Sequence, residues 1–174
     1  FDTTRRDFER ERSEDDVGGP ILEYGELYGE RGEVMYEGQL TRGPDEPHGA
    51  GTAYWESGNV KYTGHFNAGK YHGTGTLYWP NGNLKYDGQI NENKWHGAGV
   101  AYWENGNLIY DGPCKEHKWH GAGSLYWENG KLHYEGQLRE GEKHGWGVMY
   151  LESGELYYEG QFEEGLEHGA GSLY

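Results

Sequence analysis

The chain is poor in the aliphatic residues that build ordinary cores: hydrophobic residues of every kind make up 33% of its 174 positions. A conventional interior of Leu, Ile and Val is therefore excluded. Cysteine is nearly absent. Cys114 stands alone, so no internal disulfide can staple the fold, and it reads as a small hydrophobe at a position that other repeats fill with Phe, Ile or Leu. No apolar run approaches the roughly 20 residues needed to cross a bilayer as a helix. Positive charge is also scarce, with 15 Lys+Arg against 30 Asp+Glu and a net charge of −15. Phosphate backbones select Lys and Arg, so nucleic acid is excluded as the main partner, and attraction of the whole surface to anionic lipid is weakened.

Glycine and aromatic residues are what the chain has in quantity: 32 Gly, 16 Tyr and 7 Trp. Disordered chains lack aromatics, so the composition points to an ordered array in which each unit packs on the next. The spacing supports this. His-Gly recurs at His48, His72, His96, His120, His144 and His168, always 24 residues apart. A Tyr-x-Gly lies ten residues before five of these, at Tyr62, Tyr86, Tyr110, Tyr134 and Tyr158. In the first unit Tyr36 precedes His48 by 12, which places a two-residue insertion in the Thr41–Pro47 turn.

Each unit also carries an apolar-Tyr-Trp run followed by Asn-Gly or Ser-Gly, for example Tyr78-Trp79 before Asn81-Gly82. Asn-Gly between alternating residues predicts a two-residue type I′ hairpin turn. That register sets Trp55 against Val60, Ala53 against Tyr62, Gly51 against Gly64 and Gly49 against Phe66. It likewise sets Trp79 against Leu84, Trp103 against Leu108, Trp127 against Leu132 and Leu151 against Leu156. Strand alternation then collects these residues on one apolar side. The other side is predicted to be wettable, with Tyr54, Tyr78, Tyr102, Tyr126 and Tyr150 set against Lys61, Lys85, Ile109, His133 and Tyr157. Equivalent residues should recur about every 9.5 Å, twice the strand spacing.

The predicted fold is all-β, an elongated single-layer antiparallel meander of tandem hairpins. Residues 1–21 read as a charged tail or short surface helix. Residues 22–174 read as the array, with a degenerate half repeat at 22–35 and repeats from about 36, 62, 86, 110, 134 and 158. The start at Phe1 and the stop at Tyr174 within a repeat predict a fragment of a longer chain or a processed product.

The pattern Tyr-x-Gly, His-Gly-x-Gly and a Gly-closed turn resembles the MORN (membrane occupation and recognition nexus) repeat. Tyr134-Glu135-Gly136, His144-Gly145-Trp146-Gly147 and Gly154 carry it in one unit, and it recurs six times over residues 22–174. The usual unit is one residue shorter than the 24 found here; the extra residue sits between the turn Gly and the next Tyr, as in Gly106-Asn107-Leu108-Ile109-Tyr110. The resemblance implies a meander with a groove, in proteins that organise membranes, cytoskeleton or multiprotein assemblies by binding protein segments or phosphoinositides. It favours a cytoplasmic, cytoskeletal or membrane-peripheral setting, with an organelle also open.

The recurrent histidines are too far apart to share a metal ion at ligand distances of about 2.0 to 2.1 Å, and each is expected to hydrogen-bond backbone instead. Catalysis needs groups of different role at one spot, whereas these polar residues repeat along a line, so neither enzyme activity nor a cofactor is predicted. Two candidate surfaces remain. One is an apolar groove of Trp55, Trp79, Trp103 and Trp127 with Tyr62, Tyr86, Tyr110, Tyr134 and Tyr158. The other is a Lys-aromatic stripe confined to the middle units, Lys70-Tyr71, Lys94-Trp95 and Lys118-Trp119, whose rings would otherwise simply brace the hairpin ends. The predicted function is a non-catalytic scaffold that binds a helix or extended segment of a protein partner. The alternatives are phosphoinositide attachment through the three lysines, an accessory repeat domain of a larger enzyme, or carbohydrate binding by the tyrosine ladder.

Overall fold

A computed structural model of the chain describes residues 5–7, as backbone, and residues 20–174. The tail expected at 1–21 lies outside the described residues except for Arg5–Asp7, which form a strand, and for Pro20 and Ile21. Among the described residues fifteen strands make one sheet. They are β1 (Arg5–Asp7), β2 (Leu22–Tyr28), β3 (Val34–Thr41), β4 (Pro47–Tyr54), β5 (Val60–Asn67), β6 (Lys70–Tyr78), β7 (Leu84–Asn91) and β8 (Lys94–Tyr102), followed by β9 (Leu108–Lys115), β10 (Lys118–Trp119), β11 (Gly121–Tyr126), β12 (Leu132–Arg139), β13 (Glu142–Tyr150), β14 (Leu156–Glu163) and β15 (Leu166–Leu173). Strands pair antiparallel with their sequence neighbours, except that β10 and β11 share β9. There is no helix among the described residues, and the architecture is the single-layer meander that the repeat predicts.

The predicted pairs Ala53–Tyr62, Gly51–Gly64 and Gly49–Phe66 all form. The pair Trp55–Val60 does not, nor do its equivalents at Trp79, Trp103, Trp127 and Leu151. The turn at the Asn-Gly end has three residues rather than two. Gly82 N–H donates to Trp79 O (2.9 Å) and Trp79 N–H to Asn83 O (2.8 Å), with only Gly82 at positive φ, +90°. That is a type I turn closed by a left-handed glycine. The one-residue offset is cancelled at once by a β-bulge, so Tyr78 pairs with Leu84 while Leu77 still pairs with Tyr86, leaving Lys85 as the extra residue.

Type I′ turns do occur, at the opposite end of the hairpins. There Ala68-Gly69, Glu92-Asn93, Glu116-His117, Glu140-Gly141 and Glu164-Gly165 hold two consecutive positive φ values. In Glu92-Asn93 and Glu116-His117 neither residue is glycine. Asn tolerates the left-handed region, and both turns are tied to the preceding hairpin: Asn93 N–H donates to Tyr71 O and His117 N–H to Trp95 O.

The core lies on one face. Tyr36, Tyr62, Tyr86, Tyr110, Tyr134 and Tyr158 form one column; Leu40, Phe66, Ile90, Cys114, Leu138 and Phe162 form a second, and all are 0–5% exposed. A one-layer sheet thus shields its own rings, which simple strand geometry would not suggest. Glycine is the reason. The Tyr62 ring lies across paired Gly64 and Gly75, so close that a Cβ on Gly75 would sit 2.3 Å from its hydroxyl. The hydroxyl reaches over the strand to donate to His65 O at 2.9 Å. Phe66 then meets Tyr36 and Tyr62 edge-on at 4.9 and 5.1 Å, linking one repeat to the next.

Candidate functional site

The bulge decides what each face carries. Lys61, Lys85, Ile109, His133 and Tyr157, predicted on the wettable side, sit at bulge positions that turn them onto the core face. Lys61 Nζ lies 4.6 Å from the Trp55 ring centre, Lys85 Nζ 4.3 Å from that of Trp79, and the His133 ring 3.9 Å from Trp127. Ile109 and Tyr157 pack against the buried core. Conversely Val60, Leu84, Leu108, Leu132 and Leu156, predicted beside the tryptophans, pair with Tyr54, Tyr78, Tyr102, Tyr126 and Tyr150 on the opposite face.

On the core face the four tryptophans are half-buried, and three of them tie consecutive hairpins together. Trp55, Trp79 and Trp127 donate their indole N–H to Tyr78 O, Tyr102 O and Tyr150 O at 3.1 to 3.3 Å. Trp103 Nε1 is buried without a partner. Tyr62, Tyr86, Tyr110 and Tyr134 have no exposed surface and Tyr158 has 5%, so they serve as the core of their repeats.

The stripe residues divide by chemistry. Tyr71, Trp95 and Trp119 stack on Tyr62, Tyr86 and Tyr110 at 4.0, 4.4 and 4.2 Å. Each lysine pairs with the glutamate at a type I′ turn of the next hairpin: Lys70 with Glu92 (3.2 Å), Lys94 with Glu116, and Lys118 with Glu140 (2.8 Å). The hydrogen bonds in the last two pairs raise the lysine pKa values and lower those of the glutamates.

Lys143 takes the place of the stacked ring in the fifth repeat. It lies 5.8 Å from Tyr134 and 5.6 Å from Phe162, and burial lowers its pKa. Its neighbour His133 is pushed down to about 4, first by burial and then by the Lys143 charge. The repeated histidines differ in their partners: His48 Nδ1 accepts from Ala68 N–H at 3.5 Å, and His168 Nε2 lies 3.3 Å from a Glu163 carboxylate oxygen. Tyr62 and Tyr110 hydroxyls donate to His72 O and His120 O at 3.4 Å, while the Nδ1 atoms of both histidines are buried and unpartnered. Among the described residues no three His, Cys, Asp or Glu side chains converge, and no helix is long and apolar enough to cross a membrane.

The opposite face carries two features that sequence reasoning missed. The first is an acidic row. Glu37, Asp87, Asp111, Glu135 and Glu159 occupy equivalent positions, with Thr63 in the one gap. Their cross-strand partners are Glu26, Thr52, Thr76, Val100, Ser124, Val148 and Ser172, so among the described residues no Lys or Arg pairs directly with any of the five. Glu37 accepts from Tyr24 (2.8 Å) and Tyr54 (3.2 Å), and Asp87 from Thr76 (3.2 Å); with Glu26, Glu33 and Glu56, Glu37 also lines a shallow hollow beside Tyr54. The second feature is Trp146, 52% exposed at a position filled elsewhere by Ala50, Thr74, Ala98 and Ala122. The carboxylate after five of the six repeat tyrosines was visible in the sequence, but the absence of a Lys or Arg paired with it depends on the register.

The family model described as MORN repeat matches residues 62–84, 86–108, 134–155 and 158–174, and the MORN repeat variant matches residues 47–68 and 119–139. A search of curated proteins finds no match to the chain. Strand pairing, glycine placement and both family models agree, and the chain belongs to the MORN repeat family.

Proposed function

We propose that this chain is a protein-binding scaffold whose docking surface is the face opposite its core. MORN repeats are typically protein- or membrane-interaction modules, and the family is generally non-catalytic. The observation that carries the reading is the ladder of half-exposed Tyr54, Tyr78, Tyr102, Tyr126 and Tyr150, each beside a Val or Leu, over which the described residues lay no second layer. Tyr supplies a large rigid contact area with a polar tip, which suits interface anchors. Exposed Leu84, Tyr24 and Trp146 extend the same face. The tryptophan row remains a second wall for a partner, but the indoles of Trp55, Trp79 and Trp127 already bond hairpin to hairpin.

The phosphoinositide reading draws on Lys70, Lys94 and Lys118. Three lysines near an anionic surface supply about 1 kcal/mol each, and here each is already matched by a glutamate, so flotation with phosphoinositide vesicles at about 150 mM salt should leave the protein unbound. The scaffold reading is tested by affinity capture from cell extract with wild type, Tyr78/Tyr102/Tyr126→Ser and Trp79/Trp103/Trp127→Ala. Loss of captured proteins with the tyrosine variant, at unchanged strand content, is the expected result. Identical capture by wild type and both variants would discard it.

A further inference from the structure

We propose that the face opposite the core binds a proline-rich segment in the polyproline II conformation with one basic residue in every three. The inference rests on the scaffold reading and names the partner's chemistry. Two parallel rows carry it. The tyrosines stand on one strand of each hairpin and the carboxylates on the other: Tyr78 on β6 lies two residues, about 6.6 Å, along from Thr76, which pairs with Asp87 on β7, and both rows advance one hairpin at a time, about 9.5 Å.

The repeat length selects the occupant. A polyproline II segment rises about 3.1 Å per residue with three residues per turn, so identical edges recur every 9.3 Å or so, close to the step of the array. A β-strand cannot match it, because residues three apart point to opposite sides. An α-helix keeps one face toward the sheet at intervals of seven residues, about 10.5 Å, and so overshoots by roughly 1 Å per hairpin. Along a polyproline II segment, one edge would lay prolines on Tyr78, Tyr102, Tyr126 and Tyr150 while the adjacent edge delivers cations to Asp87, Asp111, Glu135 and Glu159. The third edge faces water. Flat aromatic surfaces are what proline-rich segments dock on elsewhere.

Charge complementarity fixes the sign. No Lys or Arg lies across the strands from the acidic row, and the chain as a whole carries −15. Carboxylates about 9.5 Å apart are separated by little more than a Debye length at physiological salt, so they still repel weakly and a cationic ligand relieves that.

The test is fluorescence anisotropy with labelled (Pro-Arg-Ala)5 titrated by the full chain. It is compared with (Pro-Glu-Ala)5 and with an Arg-matched peptide whose Pro-Arg pairs recur every fourth residue. The period-three basic peptide should bind about tenfold more tightly than the period-four peptide, a difference of about 1.4 kcal/mol. The acidic peptide should not bind. Asp87→Asn/Asp111→Asn/Glu135→Gln, on exposed side chains, should weaken binding about tenfold and flatten its salt dependence. Equal binding of period three and period four would reduce the effect to bulk charge and overturn the proposal, as would no binding of either. Should extract capture still depend on Tyr78, Tyr102 and Tyr126 while the peptides fail, this inference alone falls; if both fail, the interaction reading falls with it.

Discussion

Each repeat is built on one tyrosine folded over two glycines. The hydroxyls of Tyr86, Tyr110 and Tyr134 donate at 2.8 Å to the carbonyl three residues on, a contact possible only because the glycines beneath have no side chain. Two kinds of glycine therefore differ in cost. A Cβ on Gly99 would meet the Tyr86 hydroxyl at 2.2 Å, whereas one on Gly106 meets nothing within 4 Å but sits at φ +91°. Gly106→Ala should cost about 1 kcal/mol from the left-handed backbone alone. Gly99→Ala should cost about 3 kcal/mol, because the buried ring must move. Urea midpoints of the two variants check the order. His133 supplies a pH signature. Its folded value of about 4 lies below the ordinary imidazole value of 6.5, so between the two the unfolded chain binds a proton that the folded chain lacks. Stability should fall as pH drops from about 6.5 through 4, and His133→Gln should lose that part of the slope, as denaturation at pH 7 and 4.5 would detect. Parallel losses in the two proteins would contradict the assignment.

At the scale of the hairpin, the strands, the paired glycines and the core tyrosines were legible because period-two alternation and a 24-residue repeat leave little freedom. Turn geometry was not. Asn-Gly suits a type I′ turn, with both residues left-handed, as well as a three-residue turn in which only the glycine is, so Asn81-Gly82 does not distinguish them. The bulge at Lys85 then restores the register, and the error is confined to the two pairs nearest the turn. Those pairs are nonetheless the ones that assign Trp79 and Leu84 to their faces, and the candidate surface moved with them. The indole contacts across hairpins give a matched comparison. Trp79→Phe removes a hydrogen bond to Tyr102 O and should cost about 1 kcal/mol more than Trp103→Phe, whose indole nitrogen has no partner to lose. Calorimetric melting of both variants checks it; equal losses would show that the bond contributes little.

The described residues form a one-dimensional stack in which each hairpin packs on the hairpins beside it, as Phe66 does on Tyr36 and Phe162 on Tyr134. Cooperativity should therefore be local. Excision of residues 86–109, one full period, joins Lys85 to Tyr110 in register and should leave a folded array shorter by about 9.5 Å. Removal of half a period should not fold, and circular dichroism with small-angle scattering separates the cases. The array architecture was readable from spacing alone. Which face stays open was not, because it turns on a bulge and on rings lying flat over glycine. That division of faces is most directly tested by mild iodination of the full chain with peptide mapping of the modified tyrosines. Tyr54, Tyr78, Tyr102, Tyr126 and Tyr150 should react while Tyr62, Tyr86, Tyr110, Tyr134 and Tyr158 stay protected until the chain unfolds. Comparable labelling of both sets in the native protein, or labelling of the second set first, would contradict the account.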